Sequence, residues 1–260
     1  MIETIEGHLY DYPKYYDVLF GSEWREELDF LVGAFDQFSR RPVSSVFEPA
    51  CGTGRLLVRL AKAGYQVSGV DLNEPAVDYC NDRLERQGFD RSAFVGDMTS
   101  FKLPRKVGAA FNLINGFRHL LSEQQAIAHL NCVAHVLPIG GLYVLGLHLT
   151  PKVGTPLQKE SWTARRGSLR VTTRMWTLGS SAKQRIERVG FTYHVHTPSK
   201  NFRVADEIHF RTYTRSQFLK LIGKIETLEI AATFDFDCDI DTPVEIDDAT
   251  QDVIFILRKC

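Results

Sequence analysis

Val46-Phe47-Glu48-Pro49-Ala50-Cys51-Gly52-Thr53-Gly54-Arg55-Leu56 decides how this 260-residue chain is read. An apolar strand, expected over residues 43–48, runs into a turn of small residues. A helix is expected over residues 54–63, with Leu56, Leu57 and Leu60 facing inward. Small residues let a ligand approach the backbone, and a helix N-terminus offers unpaired N–H groups and a field that favours an anion. In an open α/β sheet such a turn lies at the carboxyl edge of the strands, the usual ligand crevice. A second strand, residues 66–71, ends on Asp71, nineteen positions after Gly52. A carboxylate there accepts hydrogen bonds from a ribose diol. The dinucleotide fingerprint also needs a third glycine, and its place is held by Leu57. Glu48, just before the turn, repels a pyrophosphate and favours an ammonium or a sulfonium. The turn therefore suits a positively charged, zwitterionic nucleoside better than NAD.

Outward from this turn, short β-rich runs alternate with helical stretches. Strands are expected at 93–95, 109–114 and 141–149, and helices at 74–87 and 122–136. Ser122 followed by Gln125 is a capping-box pattern. This rhythm argues for βαβ units and a mostly parallel sheet covered on both faces. After Pro151 the pattern changes to apolar–polar alternation over 169–175, 185–195 and 202–213. Gly179-Ser180-Ser181 and Pro198-Ser199-Lys200-Asn201 read as the turns between these runs. A helix (214–225) and two strands (228–236, 253–257) close the chain. The segment before Val43 is too aromatic for a loose tail and is expected to pack over something. Four parts result: a cap (1–42), a cofactor-binding core (43–150), an antiparallel insertion over the active site (151–213) and a C-terminal helix with strands that complete the core sheet (214–260).

Composition sets the class. The chain is 44% hydrophobic and 24% charged, ordinary for a folded domain, and no apolar run reaches the roughly 18 residues of a membrane span. The acidic start, Met1-Ile2-Glu3-Thr4-Ile5-Glu6, has no signal-peptide pattern. Cys51, Cys80, Cys132, Cys238 and Cys260 are scattered and lack metal-ligand spacing. His194 and His196 share a strand face without a third ligand, so no metal site is expected. A reducing cytoplasm and no membrane partner are the expectations; oligomeric state is not legible. Charge is uneven: residues 159–224 carry 14 Lys and Arg against 4 acids, and residues 225–260 carry 2 against 10. Mutual neutralisation of these blocks is the expected use.

Glu48-Pro-Ala-Cys-Gly-Thr-Gly54, with Val70-Asp71-Leu72-Asn73 and Gly96-Asp97-Met98, resembles the class I S-adenosylmethionine-dependent methyltransferase family. Pro13-Lys14-Tyr15-Tyr16-Asp17 and Trp24 resemble the cap of its small-molecule branch. Glu207-x-His209-x-Arg211-Thr212-Tyr213-Thr214 resembles the run that re-enters the core after that branch's insertion. The resemblance implies a Rossmann-like, mostly parallel seven-stranded sheet with an antiparallel β insertion and an N-terminal helical cap. Its cofactor would be S-adenosyl-L-methionine, leaving S-adenosyl-L-homocysteine. Glu48, Ala50, Gly52 and Gly54 would cradle the methionine part, although Ala50 stands where the family usually has glycine. Asp71 would take the ribose, Leu72 the adenine face, Asp97 the adenine amino group and Met98 the ring. Asn115 would lie beneath the sulfonium, and Tyr16 and Trp24 would close the cap over the cofactor.

Methyl transfer to a small N, O or C acceptor chiefly needs in-line positioning and exclusion of water, worth on the order of 7 to 11 kcal/mol. His119, on the loop after the fourth strand, is the candidate general base, with an ordering role as its rival. Phe117, His148, Arg211 and Tyr213 are candidate acceptor contacts. A nucleic-acid methyltransferase using the basic block is the alternative, but Asn115-Gly116-Phe117-Arg118 lacks the proline-rich run of base-amino methylation, so nucleic acid is not the expected partner. A non-catalytic cofactor-binding protein and a nicotinamide dehydrogenase are further alternatives.

Overall fold

The computed structural model describes residues 3–21, 24–153 and 159–260. Met1 and Ile2 of the acidic start, and residues 154–158 of the insertion, lie outside them. In chain order the cap supplies β1 (Glu3–Glu6), α1 (Pro13–Phe20) and α2 (Arg25–Phe38). Then come β2 (Ser45–Pro49), α3 (Leu57–Lys62), β3 (Gln66–Asp71), α4 (Glu74–Glu85), β4 (Ala93–Val95), β5 (Ala109–Asn112), α5 (Glu123–Val136) and β6 (Leu142–His148). The insertion is β7 (Lys159–Arg166), β8 (Leu169–Ser181), β9 (Ile186–His196) and β10 (Asn201–Arg211). The chain closes with α6 (Arg215–Ile222), β11 (Leu228–Phe234) and β12 (Asp252–Lys259).

The larger sheet has the order β11-β12-β6-β5-β2-β3-β4. Its pairs from β6 to β4 are parallel, and β12 enters antiparallel between β6 and β11. Side chains alternate across a strand, so each strand feeds two cores. Phe47, Ala110, Tyr143 and Phe255 pack on the face covered by α5 and α6; Val46, Phe111, Val144 and Ile256 pack on the other, with α2 and α3. A sheet buried on both faces needs the apolar strands seen here. Helix starts are fixed by side chains: Asn73 accepts from the Ala76 amide at 2.9 Å, and capping boxes open α5 at Ser122 and α6 at Thr214.

The second sheet runs β1-β10-β9-β8-β7, antiparallel except for the parallel pairing of β1 to β10. The aromatic N-terminal segment packs on its inner face. Leu9, Val18 and Leu19 lie with Val171, Tyr193 and Val204 in one buried cluster, flanked by Tyr12, Tyr15 and Phe20. Two strands were not legible in the sequence, β1 and β7, both at the edges of this sheet with little apolar alternation. Gly179-Ser180-Ser181 is not a turn. β8 continues through it with a register shift between Thr177 and Gly179, and the chain reverses after Ser181. A bulge accommodates the small residues that the sequence offered as a turn.

The charged blocks do not neutralise one another by ion pairing. Among the described residues, Arg166, Arg185 and Arg188 pair with Asp17, Glu123 and Glu207. The acidic tail instead meets Arg40, Lys152 and Arg258.

His129, on α5, lies in the core. Its Nδ1 is 2.9 Å from the Met98 carbonyl and its Nε2 is 2.8 Å from the Tyr143 hydroxyl. A carbonyl only accepts, so the neutral ring donates from Nδ1 and accepts the Tyr143 proton at Nε2. Burial pushes its pKa down to about 4. The folded value lies below the unfolded value near 6.5, so the unfolded chain binds the extra proton first. Stability from this residue is present above pH 6.5 and is lost as pH falls toward 4, at up to about 1.4 kcal/mol per pH unit. Urea titrations across this window should show a shallower slope in His129→Gln than in the native chain.

Candidate active site

The carboxyl edge of the parallel strands opens into a cleft of about 410 Å³. β2 ends in a bend where Ala50 and Gly52 have φ of 55° and 50°. Alanine pays for the left-handed conformation that glycine takes freely, so strain is stored at the mouth of the cleft. A Cβ on Gly52 would meet nothing within 4 Å, because this backbone faces the cavity. The regular helix starts later than expected, at Leu57, after turns over residues 52–56. The bend itself thus precedes the first regular turn of the helix. The Gly52 amide donates to Asp71 Oδ2 at 2.8 Å, while the Asn73 amide donates to Asp71 Oδ1 at 2.9 Å. One carboxylate thus ties the ends of β2 and β3 together. Burial raises the Asp71 pKa, and the amides of Asn73, Gly52 and Leu72 oppose that rise.

The walls differ in character. Leu72 is 71% exposed and Ile114 40%, and with Met98 they give the cleft apolar surfaces suited to a flat ring. Beneath the bend, burial holds the Glu48 carboxyl well above its usual range, against the lowering pull of Arg55. Glu48 Oε2 is buried without a hydrogen-bond partner. An unsatisfied buried oxygen costs about 1 to 3 kcal/mol, a cost that a cationic donor nearby removes. From the cap, Tyr16 lines the cleft, its hydroxyl pushed up to about 12 by burial. Tyr10 also lines it, its hydroxyl 3.0 Å from His119 Nε2.

A 3-10 turn over Gly116–His119 divides this cleft from a second cavity of about 300 Å³. Gly116 and His119 line the first space, and Asn115 and Arg118 line the second. The second cavity is roofed by the insertion through Trp176, Glu187 and Phe210, and floored by His148 and Gln251. Its polar groups are held in place: Arg118 meets Glu187 at 2.7 Å, and His148 Nδ1 contacts the Asp252 carboxylate.

Residues 46–141 match the family model described as a methyltransferase domain. Over 259 residues the chain is 24% identical to a putative methyltransferase of Geobacillus sp. (strain WCH70), spanning 98% of this chain and all of that protein. Residues 46–141 form a methyltransferase domain, and the chain as a whole is similar to methyltransferases. It is also 28% identical over 200 residues to a dTDP-3-amino-3,6-dideoxy-alpha-D-glucopyranose N,N-dimethyltransferase of Streptomyces fradiae, covering 76% of this chain and 75% of that one. The fold is shared with a crystal structure of an S-adenosylmethionine-dependent methyltransferase from Clostridium acetobutylicum ATCC 824. That likeness has a TM-score of 0.78 at 15% identity, over 95% and 97% of the two chains.

The cleft has features that fit S-adenosylmethionine. Exposed Leu72 and Ile114 offer surfaces for a base, and Asp71 stands at the end of β3 for a diol; Glu48, expected to cradle the methionine part, lies beneath the bend and does not line the cleft.

Several expected contacts lie elsewhere. Trp24 does not line the cleft; it stacks on the Arg59 guanidinium at 4.1 Å, against the core beside α2. Gly54 backs onto α4, and a Cβ there would come within 2.2 Å of Cys80 Sγ. Its φ of +64° adds to the conflict. Gly54→Ala should therefore lose about 1 to 3 kcal/mol of stability, with part regained in a Gly54→Ala, Cys80→Ala double variant measured by urea denaturation. Asp97 is exposed and accepts from the Thr99 amide at 2.7 Å, capping the turn, while its neighbours Gly96 and Met98 line the cleft. Asn115 Oδ1 accepts from the His148 amide at 3.1 Å, so this side chain ties β5 to β6 at the second cavity. Phe117 and Tyr213 are fully buried, packed with Phe218 in the core. Arg211 is buried too, its guanidinium donating to the Leu121 carbonyl at 2.7 Å. These three brace the partition and present nothing to an acceptor. Tyr10 went unread: it lies among many aromatics, with no spacing to single it out. Trp176 and Glu187 also went unread, because strand alternation does not show what a sheet covers.

Proposed function

We propose that this methyltransferase transfers a methyl group to an amino group of a small hydroxylated acceptor, an amino sugar or a molecule of that kind. The observation that carries this reading is the partition: two cavities meet at one short turn, the first suited to the cofactor and the second polar and roofed. Trp176 offers the second cavity an aromatic face, Glu160 offers an ammonium-bearing ligand a carboxylate, Glu187 being paired with Arg118, and Thr177, Thr212 and Gln251 offer hydroxyl partners. The Streptomyces fradiae relative is named for N,N-dimethylation of an amino sugar nucleotide, which agrees with this choice. The four-part division of the chain (1–42, 43–150, 151–213, 214–260) fits it, with cap and insertion covering the acceptor. The free cysteines, two of them buried, suit a reducing compartment, and we place the protein in the cytoplasm. No helix among the described residues is long and apolar enough to cross a membrane.

When bound, the cofactor supplies an electrophilic methyl on a sulfonium. The chain's own residues have to hold the acceptor nitrogen with its lone pair toward that carbon. The new C–N bond forms as the C–S bond breaks, and the nitrogen gives up its proton to solvent. Burial pushes His119 down to about 4, with His8 and Arg118 adding to the shift. An amine's conjugate acid titrates near 8 to 10, so moving its proton onto His119 is uphill by about 4 to 6 pKa units, or about 5 to 8 kcal/mol. Orientation is the cheaper role. Neutral His119 fixes the Tyr10 hydroxyl in the first cleft, where that oxygen accepts from the N–H of an acceptor whose amino group reaches past the turn. Tyr10→Phe and His119→Ala should each lower kcat roughly 10- to 100-fold. The rate should follow the acceptor's own ionisation, with no inflexion from His119 between pH 6 and 8.

The test is S-adenosylhomocysteine release across amino sugars, their hydroxyl analogues and short RNA. Turnover confined to the amines supports the reading. Turnover of RNA, or of hydroxyl analogues alone, overturns it.

A further inference from the structure

A third pocket, of about 320 Å³, opens between α1, α3, α4 and β7 and shares no lining residue with the other two. Its charge is lopsided. Arg59, Lys62, Arg83, Arg86 and Arg166 line it, and among the described residues Asp17 is its only carboxylate. Arg59 and Lys62 share one face of α3, and Arg83 lies in the last turn of α4 with Arg86 as its C-cap, each pair three positions apart. A run of cations is ordinarily a solvated surface whose side chains spread into water. Here three of them are pinned.

Asp17 is 2% exposed. It accepts from Arg83 at 2.7 Å on Oδ1, and from Arg166 at 2.7 Å and Tyr79 at 3.1 Å on Oδ2. Arg83 also donates to the Thr53 carbonyl at 3.0 Å, and Arg166 to the Asp17 carbonyl at 3.0 Å. The Arg59 guanidinium lies on the Trp24 ring, and its Nε is buried without a hydrogen-bond partner. Burial, with Arg83 and Arg166 adding, lowers the Arg59 pKa against the opposing pull of Asp17. One carboxylate cannot balance five cations in a concave site. Fixed guanidinium forks with spare donors are the geometry that phosphate oxygens satisfy, and the three pinned arginines have little side-chain entropy left to lose on binding.

We propose that this pocket binds the phosphate or pyrophosphate group of a small anion, at a site separate from the methyl-transfer centre. Arg59 and Lys62 supply the free donors and Arg86, which lies 3.8 Å from Asp82, can turn to join them, while Arg83 and Arg166, held by Asp17, supply the surrounding field. Arg83 also touches the Thr53 carbonyl of the cofactor bend, so an occupant is one residue removed from the cofactor.

Inorganic pyrophosphate is the probe, titrated into the full chain by calorimetry and thermal unfolding with sodium chloride matched for ionic strength. Lys62→Glu with Arg86→Glu is the variant, because both side chains are exposed and neither touches Asp17. Saturable binding in the native chain, weakened roughly tenfold or more in the variant, is the expected result. Unfolding of both chains without anion shows that the variant remains folded. A nucleoside diphosphate binding more tightly than pyrophosphate also supports the site and adds a nucleoside to its ligand. A stabilisation no larger than that of matched chloride, or one the variant retains, overturns the proposal. So does binding of RNA without binding of pyrophosphate, since that marks an open polyanion surface. None of these readouts depends on methyl transfer, so their failure leaves the proposed acceptor untouched.

Discussion

Replacing Asp71 by alanine is expected to weaken binding of S-adenosylmethionine and S-adenosylhomocysteine by roughly 1 to 3 kcal/mol, about 5- to 150-fold. The carboxylate has two tasks. In the proposed site it takes the ribose hydroxyls, and it accepts from the Gly52 and Asn73 amides at 2.8 and 2.9 Å. Alanine removes the sugar contact and frees the Gly52 bend at the same time. Asp71→Asn separates the two, because an amide oxygen still accepts from one backbone N–H but cannot provide two anionic acceptors. Calorimetric titration should rank the native chain above Asp71→Asn, and Asp71→Asn above Asp71→Ala. Equal affinity in all three would remove Asp71 from the cofactor site.

Replacing Asp17 by alanine is expected to cost about 3 to 5 kcal/mol of folding free energy, the scale of breaking a buried ion pair from one side. Its carboxylate joins the cap to the core through Arg83 and to the insertion through Arg166. Without it, Arg83, whose side chain is 15% exposed, faces other cations with nothing to balance it. Arg166→Ala should cost far less, about 0 to 1 kcal/mol, because that side chain is 53% exposed. Urea denaturation of the two variants should show this asymmetry. Equal losses would mean that packing of α1, and not the carboxylate, carries the junction.

The core was legible because its two signals are local. β3 and β4 fall on the residues expected, since apolar content and flanking turns fix a short parallel strand. Gly52 and Asp71 could be paired because strand length and turn length together set where β3 ends. The acceptor side was harder to read. Phe117, Arg211 and Tyr213 follow strands that end at the crevice, so chain position put them at its mouth. The tight 3-10 turn at residues 116–119 and the capping box at Thr214 rotate them inward, and a sequence pattern carries no record of that rotation. Trp24 shows the same limit, because the resemblance placed its segment but its ring found Arg59. Asp17 was quoted only as part of a cap motif; its partners lie 62, 66 and 149 positions away, beyond any local rule.

The apolar interior beneath the smaller sheet is assembled from residues 9–20 and residues 169–210, with most of the chain between them. Neither stretch can bury its side chains without the other. A chimaera that takes its insertion from one relative and its first twenty residues from another would put mismatched halves into a single interior. New acceptor preferences should therefore transfer between relatives only when both stretches are exchanged together.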